Sequence, residues 1–435
     1  VTSYNANETT VTDQAGKSRR SIIDALGRLV RVIEDPGALA YLTDYRYDAL
    51  GNLIEVIQGA QQRRFTYDSL SRLTSAVNPE SGSISYQYDD NNNLTQKTDG
   101  RGVVTSYSYD GLNRVISRSY SDGTPAVSYS YDLGSPAVAN SKGRLISVSS
   151  SVSSYRYNEY DALGRVKSAT QTTDGQVYQM SYGYDLAGNL TSQTYPSGKT
   201  MITEYDSAGR IAGVKNQATG SYYAGGGTAD SSNRIQYSAH GAMTVMRLGN
   251  GLWEKTMFNS RQQPVRIGLG TSSTNSSVLQ LDYGYGSTNN NGNVLSQTIT
   301  LPGLSLVQTY SYDQLNRLTQ AQESAGSSSW SQTFGYDRYG NRTAVSSTSG
   351  LAPLSWAPQV DPATNRFVTS GGSFSYDGAG NLLSEPTAPG SLTLKNYSYD
   401  GENRLKQASQ QGSVLGSYFY DGDGKRVKRV VGSGS

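Results

Sequence analysis

Few residues in this chain could do chemistry. His240 is the only histidine, so a nucleophile–base–acid arrangement would have to be built around it, and no Gly-x-Ser-x-Gly elbow accompanies it. Aspartates are plentiful, but most stand in one recurring context, Tyr-Asp followed by a turn former three residues after the Asp. A general acid and a general base need unlike surroundings that drive their pKa values apart, and a repeat gives every copy near-equivalent surroundings. Asp421-Gly422-Asp423-Gly424 has the spacing that opens a calcium loop, without the later ligands or the closing Glu. Gly225-Gly226-Gly227 lacks the Lys-Ser/Thr of a phosphate loop and is expected to be a flexible loop. With no Cys, thiolate metal sites and disulfides are excluded. These residues predict no enzyme, no catalytic or metal-ligating residue and no cofactor, and they leave the aspartates a structural role.

The elements that hold the aspartates follow from self-comparison. Asp48, Asp68, Asp89 and Asp110 succeed one another at steps of 20, 21 and 21 residues, too short for a domain and right for one hairpin. The signature runs Tyr47-Asp48 with Gly51, Tyr67-Asp68, Tyr109-Asp110, Tyr160-Asp161 with Gly164, Tyr184-Asp185 with Gly188, and Tyr205-Asp206 with Gly209. It resumes at Tyr312-Asp313, Tyr336-Asp337 with Gly340, Tyr376-Asp377 with Gly380, Tyr399-Asp400, and Tyr420-Asp421 with Gly424. Asp at the first position of a type I turn accepts backbone N–H groups ahead of it, and Gly or Asn three residues on tolerates a left-handed backbone, so each signature is a hairpin tip. Before the tip, Tyr-x-Tyr (Tyr45 and Tyr47, Tyr107 and Tyr109) places two rings on one face by the two-residue strand period. After it, Leu53 to Val56 and Leu73 to Ala76 depart from strict alternation, for which a β-bulge is one explanation.

Composition agrees with a sheet thinly covered by apolar side chains. Only 35% of residues are hydrophobic even with Tyr counted, and 34 Tyr stand against 6 Phe, which is too little oil for a thick core across 435 residues. Abundant Tyr, Val, Ile and Thr argue against disorder. Tyr suits a half-wet face, where its ring packs and its hydroxyl reaches water. Cross-strand ladders of Tyr, Arg and Asn are each expected to contribute roughly 0.2–1 kcal/mol. The 37 basic and 35 acidic residues are interspersed, which predicts no nucleic-acid partner, and no apolar run approaches the roughly 18 residues of a membrane span.

Two stretches break the rhythm. Between Tyr131-Asp132 and Gly143-Arg144-Leu145 the tip is lengthened, and between Lys215 and Asn293 turn chemistry persists without the Tyr-Asp signature. The organisation expected is therefore 1–214 as an N-terminal part of the array, 215–300 as degenerate repeats or an insertion within it, and 301–435 as a C-terminal part.

A dozen in-phase copies, Leu248-Gly249-Asn250-Gly251 and the stretch Tyr420–Val427 carry a family likeness. The array resembles the Rhs/YD-repeat family, which includes bacterial Rhs and WapA-like toxins, the C component of Tc toxins and the YD shell of teneurins. The resemblance implies an all-β fold in which tandem antiparallel hairpins form a continuous spiralling sheet or hollow shell. It implies a partner, a C-terminal cargo polypeptide of the same parent protein, and an extracellular or cell-surface location for a secreted or surface-delivered bacterial protein. The conserved core and autoprotease residues of the family would lie beyond Ser435, so the resemblance assigns no cleavage residue here. The alternative is a cell-surface fibre or adhesin that self-associates or binds glycans through its exposed tyrosines.

Overall fold

Runs of alternating Tyr, Thr, Val and Ser broken by turn formers dictate short strands and tight connections, and a computed structural model shows that pattern along the chain. It describes residues 1–435 except 133, 135, 229, 325–328, 349–358, 369–373, 389 and 433–435. Among the described residues every regular element is a β-strand, and the fold is all-β as expected. Within each sheet the strands pair antiparallel with their neighbours in the chain, as Tyr41–Tyr47 does with Leu53–Gln58 and that strand with Gln61–Tyr67. Thr2–Asn5 to Tyr222–Gly225 form a meander of 21 strands. Gln236–Tyr237 to Arg342–Thr348 form one of 10, and Ser375–Tyr376 to Arg426–Val431 one of 6. A bridge between Ala224 and Leu248 and a bond of 2.8 Å from Gly249 N to Tyr223 O link the first meander to the second. Strands Ile211–Asn216 and Ser296–Leu301 include residues 214/215 and 300/301.

In such a meander the connections alternate between two edges of the strip. The Tyr-Asp turns lie on one, the tip edge. Connections between repeats, such as 58–61 and 78–82, lie on the other, the loop edge. Asp13 and Asp99 build an aspartate turn on the loop edge as well.

The spacing that escaped alternation is a bulge. Tyr45 stands opposite Val56 and Arg46 opposite Glu55, but Tyr47 stands opposite Leu53, so Ile54 is an extra residue in its strand. The same register shift follows the tips at Asp68, Asp110, Asp185, Asp206 and Asp313. Each tip is thus a three-residue loop, a type I turn closed by a residue in the left-handed region. Gly51 takes φ 88°, and Ser71, Asn92 and Asn113 take 60°, 67° and 60° at the equivalent place.

The core is thin. Few apolar side chains are fully buried, and several of those are small, such as Ala76, Ala169 and Ala212. One compact knot forms where the lengthened tip folds back, placing Val138 with Ile146 and Tyr160. That tip still closes as the others do, with Asp132 N donating to Arg144 O at 2.9 Å.

The left-handed position gives the first testable outcome. Gly51→Asn is expected to leave the denaturant midpoint nearly unchanged, since Asn holds that place at residues 92 and 113. Gly51→Val is expected to cost roughly 1–2 kcal/mol, because a β-branched side chain clashes with its own backbone at positive φ.

Candidate functional site

The recurring site is the turn, and the repeat from Asp68 to Asp89 shows all of its parts. Asp68 Oδ1 accepts the N–H groups of Leu70 and Arg72, each at 3.0 Å. Its Oδ2 accepts Arg72 Nε at 2.7 Å. Arg72 then reaches into the next repeat, where Nη1 donates to Asp89 O at 3.0 Å and the guanidinium lies 5.1 Å from the centre of the Tyr88 ring. Tyr88 completes the circuit by donating its hydroxyl to Leu73 O at 2.9 Å. Leu73 stays opposite Tyr67 beside the bulge, whose extra residue is Thr74, and it lies beyond Ser75, where pairing with the next strand stops, so the Tyr88 hydroxyl supplies a donor to a backbone acceptor outside that ladder.

The other predicted positions repeat this geometry. Asp48, Asp110, Asp161, Asp185, Asp206, Asp313, Asp337, Asp377, Asp400 and Asp421 each close a turn by donating N–H to the carbonyl four residues on. Tyr47 donates to Leu29 O, Tyr67 to Leu53 O and Tyr109 to Leu94 O at 2.8–3.0 Å. Tyr160, Tyr184 and Tyr205 reach Leu145, Val166 and Leu190 in the same way, as do Tyr312, Tyr336, Tyr399 and Tyr420 with Val294, Leu318, Leu382 and Leu405. Tyr376 differs and accepts Phe367 N at 3.1 Å. The hydroxyls expected to reach water are instead spent on the preceding repeat. Arginines four residues after the Asp stack on the next signature tyrosine at Arg165 on Tyr184, Arg317 on Tyr336 and Arg404 on Tyr420, with 4.6–4.9 Å to the ring centre. Where Asn takes that position, as at Asn52 and Asn189, its amide still donates to the turn carboxylate at 2.8–2.9 Å.

The region without the signature keeps the turn with substitutes. Asn259 Oδ1 accepts Arg261 N at 2.9 Å and Gln263 N at 3.0 Å, as an Asp would, and Ser238 Oγ accepts Ala242 N at 3.2 Å. His240 is exposed at the Ser238 tip, with its ring edge-on to Phe258 at 5.1 Å. Asp421 Oδ1 accepts Asp423 N at 3.0 Å and Lys425 N at 2.8 Å, so this pair is an ordinary tip. Among the described residues no three His, Asp or Glu side chains gather as a metal site. Gly225-Gly226-Gly227, expected to be a flexible loop, is buried. A Cβ on Gly225 would strike Ala212 O and one on Gly226 would strike Asn233, so close packing is what these glycines serve.

Tips late in the chain meet the loop edge of its first part. Tyr339 donates to Gln58 O at 3.0 Å and accepts Ala60 N at 2.8 Å. Arg101 Nη1 donates to Asp400 O at 3.0 Å, Tyr120 to Glu402 Oε1 at 2.6 Å and Arg118 Nη2 to Gly422 O at 2.7 Å. These partners are 281, 299, 282 and 304 residues apart, so the strip returns on itself after one circuit and its tips seat on its own loop edge. Glycine makes the approach close enough. A Cβ on Gly378 would collide with Gly100 O, and one on Gly422 with Val148 and Val127.

The Teneurin YD-shell family model matches residues 4–225 and again 217–435. The chain belongs to the YD-shell family. A TcdB2-TccC3 crystal structure matches 99% of this chain and 25% of its own with TM-score 0.82 and 17% identity. A second, solved without the hypervariable C-terminal region, gives TM-score 0.83 and 17% identity over 99% and 24% of the two chains. A Photorhabdus luminescens Tc holotoxin pore gives TM-score 0.81 and 16% identity over 99% and 24%. This YD-shell chain therefore spans about a quarter of the length of the chains it matches, and at these identities the likeness is one of fold. The family is a structural shell, which agrees with turns whose aspartates are occupied by their own backbone. Two functional features of this YD shell escaped sequence reasoning, the tyrosine bond to the previous bulge and the seam between passages. The Tyr-to-bulge bond has a signal in hindsight, since the extra residue that breaks alternation marks an acceptor needing a donor.

The electrostatics of the turn set a pH window. The Arg72 backbone N–H and then its guanidinium hold the Asp68 carboxyl below its usual 3.8, and the Asn52 side chain acts first on Asp48 in the same direction. Burial, then the nearby Asp48 charge, raises the Tyr67 phenol above 10.0. Burial and Tyr157 push Tyr160 up to about 12. A depressed carboxyl stabilises above its unfolded pKa and loses that contribution as pH falls, while a raised phenol loses its contribution as pH climbs past its unfolded value. Thermal midpoints are expected to stay flat between these limits, to fall below about pH 4 and to fall again above about pH 10. Tyr67→Phe is expected to cost about 1 kcal/mol in urea unfolding by orphaning Leu53 O, and the cost should add with that of Tyr109→Phe.

Proposed function

We propose that this chain is a structural segment of the shell of a large secreted or surface-delivered bacterial protein, and that the shell encloses a C-terminal toxin or effector polypeptide of the same parent. The observation that carries the reading is the seam: a strip that bonds its own tips to its own loop edge after one circuit makes a wall. A fibre would have no use for such a contact. The fold likeness to TcdB2-TccC3, one structure of which was solved without a hypervariable C-terminal region, supports the same reading. In it the signature residues, from Tyr47 and Asp48 to Tyr420, Asp421 and Gly424, are structural positions, and no catalytic step is assigned to any of them. The three segments 1–214, 215–300 and 301–435 then serve as one continuous array, and an extracellular or surface location follows from delivery of the cargo.

The test is limited proteolysis of the parent polypeptide that carries this array. Gly378→Val with Gly401→Val places side chains against Gly100 and Tyr120 and is expected to open the seam. Gly111→Val occupies the same turn position with nothing within 4 Å and serves as the control. Polypeptide following the array should resist trypsin in the wild type and the control and be degraded at least about tenfold faster in the seam variant. Equal degradation in all three would speak for the fibre.

A further inference from the structure

Asparagine followed by glycine is a chemically reactive pair, because no side chain shields the glycine nitrogen from attacking the asparagine Cγ and closing a five-membered ring. The chain holds two such pairs, Asn250-Gly251 and Asn291-Gly292, and their local geometry is nearly the same. Asn250 Oδ1 accepts Leu252 N at 3.1 Å and Asn291 Oδ1 accepts Asn293 N at 3.2 Å, so each side chain folds forward over the glycine that follows it. Gly251 and Gly292 take φ 86° and 100°, with nothing within 4 Å of the place a Cβ would occupy. Sequence and backbone alone make the two pairs equally reactive.

They differ at the amide nitrogen, which is the leaving group. Asn291 Nδ2 donates to Asp13 Oδ2 and to Asn316 Oδ1, each at 2.9 Å, so the seam between the two passages holds both of its hydrogens. Asn250 is exposed, and among the described residues its amide nitrogen has no acceptor. Releasing ammonia breaks two seam bonds at Asn291 and none at Asn250. The two sites also differ in what they support. Asn250 lies in the turn that joins the first meander to the second, where Leu248 N donates to Leu252 O at 2.7 Å, Gly251 N to Leu248 O at 2.9 Å and Gly249 N to Tyr223 O at 2.8 Å.

We propose that Asn250 is a site of spontaneous deamidation to isoaspartate, that the seam protects Asn291 from the same reaction, and that the product loosens the joint between the two meanders. Gly251 N loses its proton to hydroxide and bonds to Asn250 Cγ. The Cγ–Nδ2 bond breaks, Nδ2 takes a proton from water and leaves as ammonia, and a succinimide remains. Water then opens the ring, giving isoaspartate when it adds to the main-chain carbonyl and aspartate when it adds to Cγ. One water is consumed and one ammonia released, with no oxidant or cofactor. The isoaspartyl link puts one extra carbon into the main chain, which draws Gly251 N away from Leu248 O and unseats Gly249 from Tyr223. The inference stands apart from the shell reading and needs no cargo.

Purified chain aged at mildly alkaline pH and mapped by mass spectrometry, with isoaspartate located by electron-transfer fragmentation, tests the proposal. In the folded chain conversion at Asn250 is expected to run at least about tenfold ahead of Asn291, and in urea the two rates are expected to converge. Asp13→Asn with Asn316→Gly removes both acceptors and keeps both turns, since Asn259 and Gly340 hold the equivalent places elsewhere. This variant is expected to raise the Asn291 rate at least about tenfold and to leave the Asn250 rate unchanged. Hydrogen exchange at the Gly249 amide is expected to quicken by at least about tenfold in aged wild type. It is expected to stay slow in aged Asn250→Gln, whose longer side chain does not close the five-membered ring. An Asn250 that keeps its amide in the folded chain, or an Asn291 that converts as fast there, overturns the proposal. So does an Asn291 that stays slow in the seam variant, or a Gly249 amide that is as protected after ageing as before.

Discussion

A single carboxylate organises this protein. The turn aspartate gives one oxygen to two backbone N–H groups and the other to the side chain four residues on, and that side chain is the first link to the next repeat. At Asp68 the link continues through Arg72 to the ring of Tyr88 and from its hydroxyl to the bulge at Leu73. Pairing with the next repeat stops at Ser75, short of the turn, and the next tyrosine bonds the carbonyl of Leu73 left beyond it. Each repeat thus creates the demand that its successor meets. A chain with few large buried apolar side chains can then hold a long sheet, because ordered polar groups at the tip edge replace part of what a core contributes elsewhere.

The wall is built from the same parts used twice. Tips that meet nothing carry exposed side chains such as Leu50, while tips that meet the loop edge carry Tyr339, Gly378, Glu402 or Gly422 and are covered. Asp400 and Asp421 are each 7% exposed for that reason. Coverage accordingly follows whether a loop edge lies opposite the tip, since Gly111 meets nothing while Gly378 and Gly401 at the same turn position are packed, and the aspartate and tyrosine that make the turn stay the same. Substitutes confirm which feature matters: Asn259 and Ser238 lack the carboxylate and still accept the turn N–H groups, so the strip passes through the region where the signature is lost.

Much of the fold was legible from residues 45–115 alone. Tyr-Asp with Gly51, Asn92 or Asn113 three residues on names the turn, and the 20–21-residue step names the hairpin. The bulge was visible only as a broken alternation from Leu53 to Val56, because a period of two cannot say on which strand the extra residue lies. The hydroxyl of Tyr67 looked free for water since its acceptor, Leu53 O, exists only once the bulge has formed. The seam left no periodic trace at all. Tyr120 and Glu402 meet because the strip curves through a full circuit, a sum of many small strand twists that no local pattern records. Gly225-Gly226-Gly227 was misread because glycine marks both conformational freedom and close approach, and sequence does not separate the two.

The most direct test of this account is a double-mutant cycle across one repeat boundary, with Arg72→Met and Tyr88→Leu measured singly and together by urea unfolding. If stability runs through the tip edge from repeat to repeat, the two changes are coupled by about 0.5–1 kcal/mol. Costs that simply add would contradict it and place the stability in each hairpin by itself.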